Sequence, residues 1–78
     1  MRVTYDPKVD IMTIRLKDGH ISESDELQEG IIADYDPEGQ IVGLEILDAS
    51  ERVTKPQTML FESMGHPAAD EEAQAVAS

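Results

Sequence analysis

Cysteine and tryptophan are absent from this 78-residue chain, and its aromatic residues are one Phe and two Tyr. Without cysteine the chain has no disulfide framework, no thiolate metal site and no cysteine nucleophile. No hydrophobic run approaches the roughly 18 residues of a membrane-spanning helix, and the first residues lack the apolar core of an export signal. We therefore expect one small cytoplasmic domain with no membrane partner.

Basic residues are also scarce, with 6 Lys and Arg against 17 Asp and Glu and a formal net charge of −11. Nucleic-acid binding depends on clusters of Lys and Arg that neutralise phosphates, so we expect no nucleic-acid partner. This charge favours a basic protein partner, because opposite charges steer two proteins together in a salt-dependent way. The alternative is that acidic charge simply keeps a small protein soluble.

Alternating hydrophobic and polar residues predict strands over most of the first fifty positions. Residues 11–17 place Met12, Ile14 and Leu16 on one face, and residues 30–35 and 41–47 are two further strands. The pair Asp18-Gly19 predicts a tight hairpin that returns as a short strand over residues 20–24. We interpret residues 24–29 as a loop.

A repeat with a spacing of 30 residues supports this assignment. Residues 3–16 align without gaps on residues 33–46, and the triplet Tyr-Asp-Pro recurs identically. Each copy predicts a strand, a turn and a second strand, so the chain contains two similar hairpins. The expected fold class is mainly β (a small α+β protein), a four- to five-stranded antiparallel meander of hairpins with one short C-terminal helix.

The composition changes after residue 52, which sets the expected domain organisation. Residues 1–52 form the antiparallel β domain, residues 53–65 a short helical segment, and residues 66–78 a disordered tail rich in Ala and acidic residues. The helix is predicted over residues 56–64, because Pro56 suits a first helical turn and Leu60 and Met64 share one helical face.

An acidic turn in the second hairpin is the sharpest motif. Residues 34–45 match almost completely the twelve-residue spacing of an EF-hand calcium loop. The flanking residues predict strands, however, which would carry Glu45 roughly 20 Å beyond the turn. The sequence therefore predicts a hairpin without a built metal site or cofactor. Weak divalent-cation binding by Asp34, Asp36 and Glu38 remains as an alternative function.

The chain offers little that would support catalysis. His20 lies in a predicted turn and His66 stands beside a proline, and no Ser lies in a Gly-x-Ser-x-Gly nucleophile elbow. Paired carboxylates need a cleft that shifts one pKa, and a sheet of about fifty residues offers little concavity. We expect no enzymatic activity and assign no catalytic residues.

Hydrophobic residues on a second face of the sheet suggest self-association. A domain of this size buries a small core, and a second copy would cover surface that remains exposed. We therefore expect a homodimer. An alternative is that twist and bulges return some of these residues to one core. The candidate interface residues are Ile11, Ile32, Ile41, Leu47, Met59 and Met64.

Four stretches, residues 1–7, 10–16, 30–36 and 39–50, together resemble a small prokaryotic family, domain-of-unknown-function family 2283, also called YuzE-like. The run Ile-Val-Gly-Leu-Glu-Ile-Leu-Asp-Ala-Ser at residues 41–50 is the most specific part. The resemblance covers residues 1–52 and implies a compact β-rich domain without an established activity. Members of that family often sit beside small toxin-like proteins, so the resemblance also suggests an antitoxin or partner-binding role. We therefore expect an acidic protein-binding module, antitoxin-like, that binds a basic partner protein.

Overall fold

Five strands form a single antiparallel sheet in the computed structural model, which describes residues 1–65. The strand order is β1-β2-β5-β4-β3, so β5 is central and β1 and β3 are the edges. The expected fold class, mainly β with one short helix, is confirmed. The predicted tail, residues 66–78, lies outside the described residues. The elements are β1 (Arg2–Asp6), β2 (Ile11–Arg15), β3 (Glu23–Gln28), β4 (Ile31–Tyr35), β5 (Ile41–Leu47) and α1 (Ala49–Arg52).

Two similar hairpins, β1–β2 and β4–β5, build the centre of the sheet, as the repeat predicts. They meet where β2 pairs with β5, and Ile14 there stands opposite Leu44. These two residues are equivalent positions of the repeat, so a local two-fold axis passes between them. The turns match as well, because the Asp6 and Asp36 carboxylates each accept the backbone N–H two residues on, at 2.9 and 3.0 Å. Such bonds stabilise tight turns.

The hairpin predicted at Asp18-Gly19 is wrong, because β2 pairs with β5 and not with the next strand in the chain. Residues 16–22 form a loop that leads across to β3. The Arg15 guanidinium shapes this loop by donating to the Lys17 carbonyl oxygen at 3.1 Å and to the Gly19 carbonyl oxygen. The predicted loop over residues 24–29 is instead mostly strand β3.

The short helix was predicted at the wrong place. It is α1, directly after β5, and the C-terminal segment, residues 53–65, contains no helix. Lys55 has a φ of 50°, outside the helical region, and its carbonyl oxygen accepts the Thr58 N–H in a turn. Short helices depend on tertiary packing of an apolar face, and the side chains of residues 57–65 are exposed.

The strand register divides the side chains between two faces, because directly opposite residues point the same way. The "apolar face" carries two rows of residues across β1, β2, β5 and β4. One row contains Val3, Ile14, Leu44 and Ala33, and the other contains Tyr5, Met12, Ile46 and Ile31. The opposite "polar face" contains Thr4, Thr13, Glu45 and Ile32 in one row and Arg2, Arg15, Gly43 and Asp34 in another.

The hydrophobic core is thin. Within residues 1–65, the hydrophobic side chains that are buried belong to Ala33, Val42 and Ala49. The other seven residues of the apolar face are half-buried. The C-terminal segment covers only one corner of this face, where Pro56 and Met59 line a small pocket with Val3 and Tyr5. Most of the apolar face therefore lacks a second layer.

Candidate functional site: the acidic side of the sheet

Charge is divided between the two sides of the central strand β5. Residues 1–17, which form β1 and β2, contain four of the six Lys and Arg residues. Residues 18–40, which form β3, β4 and their loops, contain no Lys or Arg at all. We call residues 18–40 the "acidic side". Its eight carboxylates are Asp18, Glu23, Asp25, Glu26, Glu29, Asp34, Asp36 and Glu38.

The edge strand β3 makes this side available to a partner. It pairs with β4 along one edge only, and all six of its residues are exposed. An unpaired edge presents backbone N–H and C=O groups that another extended chain can join. Its row of carboxylates disfavours pairing with a second copy of β3, because like charges placed directly opposite destabilise a sheet.

A pocket of about 390 Å³ lies at the end of β3 nearest the β4–β5 turn. The Ser22 N–H donates to the Tyr35 carbonyl oxygen at 2.7 Å and holds the two sides of the pocket together. Carboxylates bind guanidinium groups through charge-assisted hydrogen bonds, and an aromatic ring attracts a cation over its face. The pocket therefore suits an Arg or Lys side chain. Its lining residues are Ser22, Glu23, Asp25, Tyr35, Asp36, Pro37 and Gly39.

The three predicted cation ligands are not gathered into a site. Asp34 is only 3% exposed and accepts a hydrogen bond from the Ser24 hydroxyl at 2.6 Å. The Asp36 carboxylate accepts the N–H groups of Glu38 and Gln40, at 3.0 and 2.9 Å. Over residues 1–65 no group of three or more Asp, Glu or His side chains is placed to hold a metal ion. Cation binding stays a prediction that this geometry does not favour.

A pair of carboxyl groups lies on the polar face beside Gly43. A hydrogen bond with Asp34 is the main cause that raises the pKa of Glu45, and partial burial and the charge of Asp34 raise it further. The protonated form of Glu45 is therefore favoured more strongly than that of an isolated carboxyl group. Gly43 leaves room for the pair, since a Cβ there would stand 3.4 Å from an Asp34 carboxylate oxygen. The sequence pattern did not reveal this contact, which depends on the register.

A second carboxylate, Asp10, joins β1 to α1. It accepts the Tyr5 hydroxyl at 2.7 Å, and it accepts the backbone N–H and the hydroxyl of Ser50 at 2.9 and 2.7 Å. The bonds from Ser50 and then from Tyr5 lower the pKa of Asp10, while the bond to Asp10 raises the pKa of Tyr5. These bonds fix the start of α1 against the first hairpin.

The six predicted interface residues do not form one surface. Ile11 stands opposite Leu47, and Ile32 stands opposite Glu45, so these three share the polar face. A register shift pairs Ile41 with Tyr35 and takes it out of line with them. The remaining two, Met59 and Met64, are exposed in the C-terminal segment.

Comparison with known proteins identifies one match. The model of a family described as protein of unknown function (DUF2283) matches residues 2–50, more than half of the chain. No curated protein and no solved structure shows significant similarity. Among the described residues, no helix is long and apolar enough to cross a membrane.

Proposed function

The chain belongs to the DUF2283 family, whose function is unknown, and we propose that it is a protein-binding module, not an enzyme, whose acidic side binds a basic partner protein. The observation that carries this proposal is the run of residues 18–40, which has eight carboxylates and no basic residue. The fold places this run on one side of the sheet together with an open edge strand.

Two kinds of contact support a basic extended segment as the part of the partner that is bound. The free edge of β3 offers backbone hydrogen bonds, which give affinity without regard to sequence. The pocket beside Tyr35 and the carboxylates along β3 then select Arg and Lys side chains. The net charge of −11 also accelerates the encounter with a basic partner at low salt.

The antitoxin-like role that the family resemblance suggests is a special case of this binding, in which the acidic side shields a basic toxin. We also propose that the interaction takes place in the cytoplasm, since a chain without cysteine needs no oxidising compartment. Co-expression with the product of a neighbouring gene tests this case directly. If the unaltered chain restores growth to cells that express the toxin and an acidic-side variant does not, the antitoxin-like role is supported. If the variant also restores growth, this role is contradicted.

A charge-reversal experiment tests the binding surface itself. We expect the double variant Glu23→Lys/Asp25→Lys to weaken binding of a labelled, extended Arg/Lys-rich peptide at least tenfold at about 0.15 M salt. Each of the two substitutions replaces a carboxylate at the pocket with an ammonium group that repels the basic peptide. Fluorescence anisotropy measures the dissociation constant, and circular dichroism verifies that the sheet is retained.

The matched control is Glu51→Lys/Glu62→Lys, which changes the net charge by the same amount at exposed positions outside the acidic side. We expect this control to weaken binding only slightly, because surface charges more than about 8 Å away are largely screened at physiological salt. If both double variants lose affinity equally, net charge alone drives the binding and the proposed surface is wrong.

A further inference from the structure

The apolar face is large and only half-buried, which is unusual for a sheet, since a sheet normally buries at least one face against another element. Its eight residues span four strands, and of these eight Ala33 alone is buried. At about 4.8 Å between strands and about 6.7 Å between successive residues on one face, the patch covers roughly 260 Å².

The C-terminal segment adds a second exposed hydrophobic surface. Met59, Leu60, Phe61 and Met64 are 63%, 80%, 70% and 89% exposed. Met59 lies beside Val3 and Tyr5 at the β1 corner of the apolar face, so the segment extends this face beyond the sheet edge. Four such side chains add on the order of 400–600 Å².

We propose that a second copy of this chain covers the apolar face, so that two sheets pack face to face and the C-terminal segment of each lies on its partner. The combined surface, roughly 650–850 Å², is close to the approximately 800 Å² that each partner buries in a standard stable interface. Packed sheets lie about 10 Å apart, which gives the domain the second layer that its own residues 1–65 do not supply.

The charge distribution selects how the two copies are oriented. A two-fold axis parallel to the strands lays β1 and β2 of one copy over β3 and β4 of its partner, with the central strand β5 over its own equivalent. The more basic side of each chain, residues 1–17, then faces the acidic side of the other. A two-fold axis across the strands would instead place the two acidic sides over each other, which like charges oppose.

Sedimentation equilibrium of the full chain from about 1 to 200 μM tests this dimer. We expect a mass of about 17 kDa, twice the 8.6 kDa of one chain. We also expect the exposed-residue variant Phe61→Asp to raise the dissociation constant at least tenfold. A mass near 8.6 kDa throughout contradicts the proposal, as does a Phe61→Asp dimer of unchanged affinity.

The matched control is Val9→Asp, which places the same charge on an exposed hydrophobic residue in the β1–β2 turn, outside the apolar face. We expect it to raise the dissociation constant much less than Phe61→Asp does, although residues 1–17 face the acidic side of the partner. If Phe61→Asp lowers the sheet signal in circular dichroism, Met64→Asp replaces it. Equal weakening by Val9→Asp means that added charge alone dissociates the dimer and contradicts the proposed surface.

Spin labels test the orientation, and the absence of native cysteine permits one label per chain. A label at Asp25→Cys lies on the edge strand β3. The proposed axis separates the two β3 strands by about four strand spacings and one sheet spacing, roughly 22 Å between backbones. A measured separation near 10 Å would place β3 over β3 and overturn the charge-paired orientation.

Discussion

Two carboxyl groups of this sheet have pKa values that are shifted in opposite directions, so they affect the stability of the fold differently as the pH changes. Asp10 accepts three hydrogen bonds in the folded chain, which lower its pKa. Glu45 stands against the buried Asp34, which raises its pKa. Both effects arise from contacts between different elements, since Asp10 bonds to Ser50 of α1 and Glu45 of β5 contacts Asp34 of β4.

We expect Asp10→Asn to be less stable than the unaltered chain at pH 7. Because the pKa of Asp10 is lowered on folding, its contribution is present above its unfolded pKa and is lost as the pH falls through its folded pKa. The difference between the two chains should therefore shrink on acidification below about pH 4. Urea unfolding over this pH range measures it. A difference that does not depend on pH would mean that charge on Asp10 contributes nothing.

We expect Glu45→Gln to stabilise the fold by about 0.5–1.5 kcal/mol at pH 7, because an amide donates to Asp34 without needing a proton. The raised pKa of Glu45 means that its contribution is fully present below the unfolded pKa and is lost as the pH rises through the folded one. The gain should therefore fade at acidic pH. The control Glu38→Gln, at an exposed position, should leave the free energy of unfolding unchanged, and an equal gain there would contradict the role of Asp34.

The turn between β3 and β4 depends on a contact with α1. Gly30 has a φ of 83°, and a Cβ at that position would stand 2.5 Å from the Arg52 guanidinium. Gly39 has the same φ with nothing within 4 Å. Gly30→Ala should therefore cost the strain of about 1–2 kcal/mol that a left-handed conformation imposes plus the displacement of Arg52, while Gly39→Ala should cost the strain alone.

Thermal or urea unfolding of both variants, alone and combined with Arg52→Ala, measures this difference. We expect the excess cost of Gly30→Ala to disappear in the Arg52→Ala background, since neighbouring sites couple and distant sites add. An excess that survives there would show that Arg52 is not what fills the space beside Gly30.

At the scale of elements, the sequence predicts those strands in which hydrophobic and polar residues alternate. β2 and β5 alternate hydrophobic and polar residues, and the Tyr-Asp-Pro turns carry the Asp side chains that fix them. β3 carries no such pattern, because it is an edge strand exposed on both faces and exists through its pairing with β4. Asp18-Gly19 is a strong local hairpin signal, but the long-range pairing of β2 with β5 replaces it.

The acidic side could be partly predicted from the sequence. A run of 23 residues, 18–40, without Lys or Arg is visible in the chain itself. The sequence did not show that this run lies on one side of the sheet, because that placement depends on β5 lying between β2 and β4. The contact between Asp34 and Glu45 was hidden for the same reason, since their proximity follows from the register of β4 and β5.

At the scale of the whole molecule, the two proposals assign two binding surfaces to one thin sheet. We propose that the apolar face and the C-terminal segment bury against a second copy, and that the open edge strand β3 on the acidic side binds a basic partner. In the proposed complex, Arg and Lys side chains of the partner enter the pocket and its backbone pairs along the open edge of β3.

The most direct test of the acidic side is a nuclear magnetic resonance titration of the ¹⁵N-labelled chain with an extended Arg/Lys-rich peptide at about 0.15 M salt. We predict that the largest amide shifts fall within β3, β4 and the β4–β5 turn, and that residues 2–17 change little. Shifts spread evenly over all the carboxylate-bearing segments, or concentrated in β1 and β2, would contradict the account.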